Sequence, residues 1–459
     1  MTLIHLEITE YGGRGFFANS DIPENTTILN CSTPLTFNIF RKYKKDACAY
    51  CFSCDFHKSC KFKLDPKHQV KLIERLNTEL GKSTLQPIKF SIPSSLVSQT
   101  QAFGGLFFCS EICKDEWIVK EDPTGLISFI LNSIDQAVPT SKKTPVPENV
   151  SSVLTSEINS EFIQKQWNDA LGVAEHITIS LASQQLNLST TSIPSSTSSS
   201  PAYSLTPVTP TTPNSPISLT SVISDVISDT DSEPKTKKSY SKKSRSKNKN
   251  RKVPAITSEE QDIVRFVAVL VVKMFLKSFG AAVLNKDEAP LMSAFCNETS
   301  DDGFQYFGDL QSNEELHLKT LPDMLEIQIK VFMFLNAVLP LQLLPFLTQK
   351  IFRDILGREA ANAFGIWQLP ITPDSELLGS SLYPYCSFFN HACSHNVRKV
   401  RSGRRIIFQT NRLVKAGEQL YINYGMYNDM PYKERHEQLK NQWYFDCQCD
   451  RCLSERAQI

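Results

Sequence analysis

The chain has 459 residues, of which 41% are hydrophobic, 21% charged and 10% aromatic. That composition excludes collagen, coiled coil and wholly disordered chains, and leaves room for two or three globular domains. Lys+Arg (49) nearly equals Asp+Glu (48), for a net charge of +1, which excludes a protein that binds nucleic acid over its whole surface.

Residues 1–47 predict short strands: LIHLEI alternates, GGRG turns, and TTILN and PLTFNIF are rich in β-formers with Pro punctuation. Residues 48–117 carry the first cysteine clusters around a polar, Ser-rich insert. Residues 118–185 are partly helical, in LISFILNSI and EFIQKQWNDALGVAEHI. Residues 186–256 are a Ser/Thr/Pro-rich segment that cannot bury enough apolar surface to fold, followed by a basic run. That run, Lys235 to Lys252, holds ten Lys/Arg and no acid; taking ten from +1 leaves the rest of the chain at −9. Residues 257–377 return to helical periodicity, with a start at Ser258–Glu260 and continuous stretches at 314–338 and 344–364. Residues 378–430 predict short strands again (YPYCSFF, RIIFQT, QLYINY), and 431–459 form a cysteine-bearing tail.

MTLIHLEITEYGG offers no secretory signal. The apolar uncharged run Val331 to Gln349 is interrupted by Asn336, Pro340, Gln342 and Pro345, so no membrane association is expected. Without secretion the 13 cysteines are expected reduced, and their clustering points to metal instead. Cys447, Cys449 and Cys452 place three thiolates on one loop, and Cys393 is the natural fourth ligand for a tetrahedral zinc. Cys48 and Cys51 pair with Cys109 and Cys113 for a second closed site. Cys54 and Cys60 lack the ligands to complete another. Gly13-x-Gly15-x-x-Ala18 formally fits a dinucleotide fingerprint, but turn residues follow where that motif needs a helix to receive pyrophosphate.

Taken together, Gly13-Arg14-Gly15 followed by Asp21-Ile22-Pro23, Asn390-His391-x-Cys393-x-x-Asn396, Gly417-Glu418-Gln419 through Tyr424-Gly425, and the Cys447–Cys452 loop resemble the signatures of SET-domain lysine methyltransferases. The cysteine pairs after the first strands, with Phe108-Cys109-Ser110 and Trp117, look like a reduced MYND finger, which makes the arrangement SMYD-type. The resemblance implies an α+β SET fold: small β-sheets around a pseudoknot, an inserted MYND-like zinc finger, a helical SET insertion and a post-SET zinc loop. It implies S-adenosylmethionine as methyl donor, zinc as structural metal, and a protein substrate with an accessible lysine. Donor and lysine would enter from opposite faces and meet in a narrow channel.

Carried over residue by residue, the resemblance makes Tyr424 the catalytic tyrosine. Gly13, Arg14 and Gly15 would line the cofactor's methionine end through backbone groups. Asn362 resembles the family's helix contact to the cofactor. Asn390 and His391 would hydrogen-bond its amine and adenine, and Phe445 would cap the adenine or the lysine channel. Three departures stand out. His395 replaces a proline, Trp443 replaces a frequent tyrosine near the channel, and the helical-repeat domain of larger relatives is not expected here. The expected activity is protein-lysine N-methylation, histones included among the substrate classes. The rival is a non-catalytic adaptor whose finger binds a partner peptide. The basic run reads as a nuclear localisation signal, a nucleic-acid tether or a solvated linker. A monomer in nucleus, cytoplasm or both is the remaining expectation.

Overall fold

The structure is a computed structural model that describes residues 2–9, 12–82, 88–138, 158–172, 174, 253–283, 303–372, 374–425, 427 and 429–458. The Ser/Thr/Pro segment and the basic run therefore lie outside the described residues.

Both ends of the chain meet in a four-stranded sheet. Strands β1 (Ile4–Ile8), β2 (Arg14–Ala18), β10 (Gln419–Ile422) and β7 (Asn390–His391) follow the order β1-β2-β10-β7. β10 runs antiparallel to β2, with Leu420 opposite Phe16, and parallel to β7, with Tyr421 opposite Asn390 and Ile422 opposite His391. Two three-stranded sheets flank it. One is β3 (Thr27–Cys31), β9 (Arg405–Thr410) and β8 (Val397–Ser402); the other is β4 (Thr36–Ile39), β6 (Leu377–Leu382) and β5 (Phe364–Trp367). Phe16 is fully buried at the crossing, its ring 4.6 Å from that of Phe389 and 5.1 Å from that of Tyr385.

The helical middle packs around one long helix. α1 (Pro66–Gly81), α2 (Glu111–Lys120) and α3 (Leu126–Ala137) precede α4 (Ser258–Val283). α4 buries Val264, Val267, Leu270, Val271 and Leu276 completely. Its apolar residues run all round because neighbours enclose it. A reciprocal capping box starts it: Glu260 N–H donates to Thr257 Oγ1, and Thr257 N–H donates to the Glu260 carboxylate. Next come α5 (Glu314–Thr320), α6 (Asp323–Val338) and α7 (Gln349–Asn362), and the tail adds α8 (Tyr432–Trp443) and α9 (Asp450–Arg456). No helix among the described residues is long and apolar enough to cross a membrane.

Several expectations need correction. The Ser-rich insert contains α1, started by the Asp65 carboxylate accepting from Lys67 N–H, with Pro66 at its first position. The stretch 314–338 is two helices, because Pro322 lacks the N–H that a continuous helix needs. YPYCSFF is not a strand; Tyr385–Phe388 is a 3₁₀ turn after Pro384. The finger boundary at 117 falls inside α2, and Trp117 is buried with its ring 5.9 Å from that of Phe37. The cysteines are not all free, since Cys31 and Cys386 are joined as a disulfide between β3 and that 3₁₀ turn.

A buried charge cluster fastens the finger to the sheets. The Arg404 guanidinium donates to the Glu121 carboxylate and lies 4.5 Å from the centroid of the Tyr50 ring. Lys273 on α4 reaches the same carboxylate at 3.2 Å. Glu121 is 2% exposed. Burial pushes its pKa up, but the two cations outweigh that and hold it below the usual carboxylate range. Removing one partner leaves buried charge uncompensated. Arg404→Ala is therefore expected to cost about 3–5 kcal/mol, read as a fall in the urea midpoint; an unchanged midpoint would show that the cluster does not hold the finger.

Candidate active site

Because β2 and β7 both pair with β10, the glycine turn and the Asn390-His391 corner face one cavity of about 990 Å³. Gly12, Gly13, Arg14, Asn362, Asn390, His391, Tyr424 and Phe445 all line it. Its volume lies at the upper end of the roughly 300–1,000 Å³ common for small-molecule sites. Gly15 does not line it. A Cβ there would lie 2.4 Å from Gln419 Nε2, so this glycine permits close packing instead.

Gly12 is the position where side-chain absence matters for the wall itself. Its φ is +84°, and a Cβ would stand 2.8 Å from Asn390 Oδ1. Asn390 donates its amide to the Arg14 carbonyl at 3.2 Å and so ties β7 to β2. The Arg14 side chain is already engaged, with a 2.7 Å ion pair to Asp309 on the rim. Asn362 donates to the carbonyls of Gln311 and Arg358, both at 2.8 Å, which closes the end of α7.

The His391 side chain is engaged within the protein, which leaves its main-chain groups to face a ligand. Its Nδ1 accepts from Tyr424 N–H at 3.2 Å, which requires the proton on Nε2. Nε2–H then faces Cys393 Sγ at 3.3 Å. Burial pushes the ring's pKa down to about 4, so it is neutral at physiological pH. The imidazole thus supports the site from inside the protein.

Tyr424 donates its phenol proton to the Phe389 carbonyl at 3.0 Å, and burial raises its pKa, so the phenol stays protonated. Its ring lies 4.7 Å from Trp443, 5.4 Å from His391 and 6.1 Å from Phe445. Trp443 Nε1–H donates to Tyr427 Oη at 3.0 Å, which fixes the indole against the tyrosine. The result is an aromatic enclosure at one end of a polar cavity.

Sequence reasoning missed Gln419 as a site residue, although it quoted the Gly417-Glu418-Gln419 motif. Gln419 lines the cavity; its Oε1 accepts from Tyr421 Oη at 2.6 Å, while its buried Nε2 has no partner. A buried amide donor without a partner is costly unless a ligand satisfies it.

Two thiol clusters fit a tetrahedral metal. Cys393, Cys447, Cys449 and Cys452 form one, and Cys48, Cys51, Cys109 and Cys113 the other, each with its sulfurs within 4.8 Å of one another. Cys393 Sγ is 3.5 Å from Cys452 Sγ and 4.0 Å from Cys447 Sγ; Cys109 Sγ is 3.5 Å from Cys113 Sγ and 3.6 Å from Cys51 Sγ. Four sulfurs at a Zn–S distance of about 2.3 Å would be about 3.8 Å apart. Cys54 and Cys60 join neither cluster, and burial raises their pKa values to about 11 and about 12. Arg435, fully buried, donates to Cys452 Sγ at 3.6 Å and pairs with Glu455 at 2.5 Å. Its charge offsets part of the negative excess of four thiolates around a divalent ion.

Comparison with known proteins gives three kinds of match. The SET domain family model matches residues 13–425. A potential protein lysine methyltransferase of Saccharomyces cerevisiae, SET6, is 26% identical over 456 residues, which is 98% of this chain and 95% of the yeast protein. Shorter matches include a SET and MYND domain-containing protein of Dictyostelium discoideum, 38% identical over 107 residues, 23% of this chain and 26% of that protein. The histone-lysine N-methyltransferase SMYD3 of Homo sapiens is 36% identical over 78 residues, 17% of this chain and 18% of its own.

The sulfur geometry yields a count. Metal analysis of the purified chain is expected to give two zinc ions, and Cys113→Ser and Cys449→Ser are each expected to bring the count to one. Two ions retained in both variants would exclude these ligand sets.

Proposed function

This chain belongs to the SET domain family, and from that premise we infer that it is a protein-lysine N-methyltransferase that draws its methyl group from S-adenosylmethionine. The observation that carries the reading is the meeting of the glycine turn, the Asn390-His391 corner and Tyr424 around one cavity, although the glycine turn lies more than 370 residues before the other two in sequence. When bound, S-adenosylmethionine supplies a methyl carbon made electrophilic by its sulfonium.

The chain's residues divide the remaining work. The backbone at Gly12 and Gly13, the Asn390 amide oxygen and Gln419 Nε2–H would hold the donor's polar groups, with Phe445 against its flat ring. A substrate lysine must be neutral to attack, against an unperturbed pKa of about 10.4. The enclosure of Tyr424, Trp443 and Phe445 excludes water and disfavours the ammonium form by desolvation. Tyr424 spends its proton on the Phe389 carbonyl, so its oxygen lone pairs accept from the incoming amine. The phenol orients the amine rather than removing a proton from it. Zinc in the Cys393–Cys452 cluster would hold the aromatic residues of the tail over the site.

Purified chain incubated with labelled S-adenosylmethionine and cell lysate is expected to label lysate proteins on lysine. Tyr424→Phe is expected to lower that labelling by about 10²-fold or more, because the amine loses its orienting acceptor. Labelling at the wild-type rate would remove Tyr424 from this role. Gln419→Leu is expected to weaken S-adenosylhomocysteine binding about tenfold in calorimetry, the worth of about one hydrogen bond; unchanged affinity would mean that the amide does not reach the ligand.

A further inference from the structure

Tyr424 separates two cavities. Its ring forms part of the wall of the large one, and its neighbours Asn423 and Gly425 line a smaller one of about 340 Å³ together with Lys399 and Asp429. Lys399, at the middle of β8, directs its amine at this divide. Its Nζ donates to the Tyr424 carbonyl at 3.3 Å and lies 5.6 Å from the centroid of the Phe364 ring. Phe364 begins β5, two residues beyond the Asn362 that lines the large cavity.

The environment of this amine differs from that of other lysines in the chain. Lys350 and Lys415 are paired with the carboxylates of Asp354 and Asp21. Lys399 is held by a carbonyl and a ring. Lys399 is an exposed residue, and desolvation by the protein beside its amine moves the pKa down, to about 8. A lowered pKa leaves more of the amine neutral at pH 7 than an unperturbed lysine has. A nucleophile on a flexible four-carbon stem therefore lies against the backbone of Tyr424.

We propose that Lys399 is a modification site, the chain's own methyl acceptor, methylated in cis past Tyr424; this rests on the methyltransferase reading above. In the step, the lone pair of the neutral Lys399 nitrogen forms the new N–C bond. The C–S bond of the sulfonium donor breaks, and its electron pair stays on sulfur, giving the thioether S-adenosylhomocysteine. The nitrogen, now a methylated ammonium, loses a proton to water at its own pKa.

The test uses the full chain alone with trideuteromethyl-labelled S-adenosylmethionine, cleaved by a protease that does not cut at lysine and read by mass spectrometry. One trideuteromethyl group is expected on Lys399, absent in Lys399→Arg and in Tyr424→Phe. A second readout needs no donor: at pH 7 an acetylating reagent is expected to modify Lys399 at least fivefold faster than the median lysine of the chain. Lysate proteins labelled while Lys399 stays unlabelled would overturn the proposal and leave the methyltransferase reading standing. No label on either, with no calorimetric binding of S-adenosylhomocysteine, would overturn both. Label on Lys399 that survives Tyr424→Phe, or slow acetylation, would show an exposed amine modified without the site and would also overturn it.

Discussion

The site depends on one short parallel pairing, Tyr421 with Asn390 and Ile422 with His391. Parallel neighbours cannot be joined by a tight turn. Here the β8–β9 hairpin fills the connection, so the chain must pack a second sheet before β10 can lie beside β7. The pairing brings the His391 ring under Tyr424, where one nitrogen serves the tyrosine's backbone and the other faces a thiol of the Cys393–Cys452 cluster. A neutral ring can accept at one nitrogen and donate at the other; a protonated ring could only donate. Burial keeps it neutral, so one ring supports both the thiol cluster and the Tyr424 backbone.

The same economy governs buried charge. Arg435 sits beside the tail cluster and Arg404 beside the finger, and each is matched to a carboxylate. Each also lies over aromatic rings, Tyr432 for the first and Tyr50, Phe37 and Phe52 for the second. A weakly hydrated planar cation tolerates such surroundings better than an ammonium would. The two metal-type clusters are therefore joined to the core by ionic contacts as well as by thiols. Those contacts are worth most where water is excluded.

Much of this arrangement was legible in the sequence. The thiol sets were readable because metal coordination fixes both residue type and number. Residues at both ends that carry the site were readable because each forms a short motif. The side-chain partners were not, because they depend on tertiary neighbours. Nothing local says that His391 spends both nitrogens within the protein, that Arg14 pairs with Asp309, or that Gln419 leaves a donor free. The Cys31–Cys386 bond was invisible for the same reason, since 355 residues separate the pair. Local errors had local causes. Asp65-Pro66 is a helix start that composition hid, and Pro322 is a break that apolar periodicity ran across.

His395 and the reduced finger are the features that favour an adaptor; a proline in place of His395 would preset the backbone. The structure holds the same loop by other means. Asn396 donates to the Gln419 carbonyl at 2.8 Å and to Glu418 at 3.1 Å, and accepts from Tyr421 N–H at 2.8 Å. Asn411 donates to the His395 carbonyl at 3.2 Å. A ring that restricts φ acts on the unfolded chain, whereas these bonds act on the folded one. Both leave the corner in one conformation. The substitution therefore changes how the loop is held without removing any group from the cavity, and so it carries little weight against catalysis.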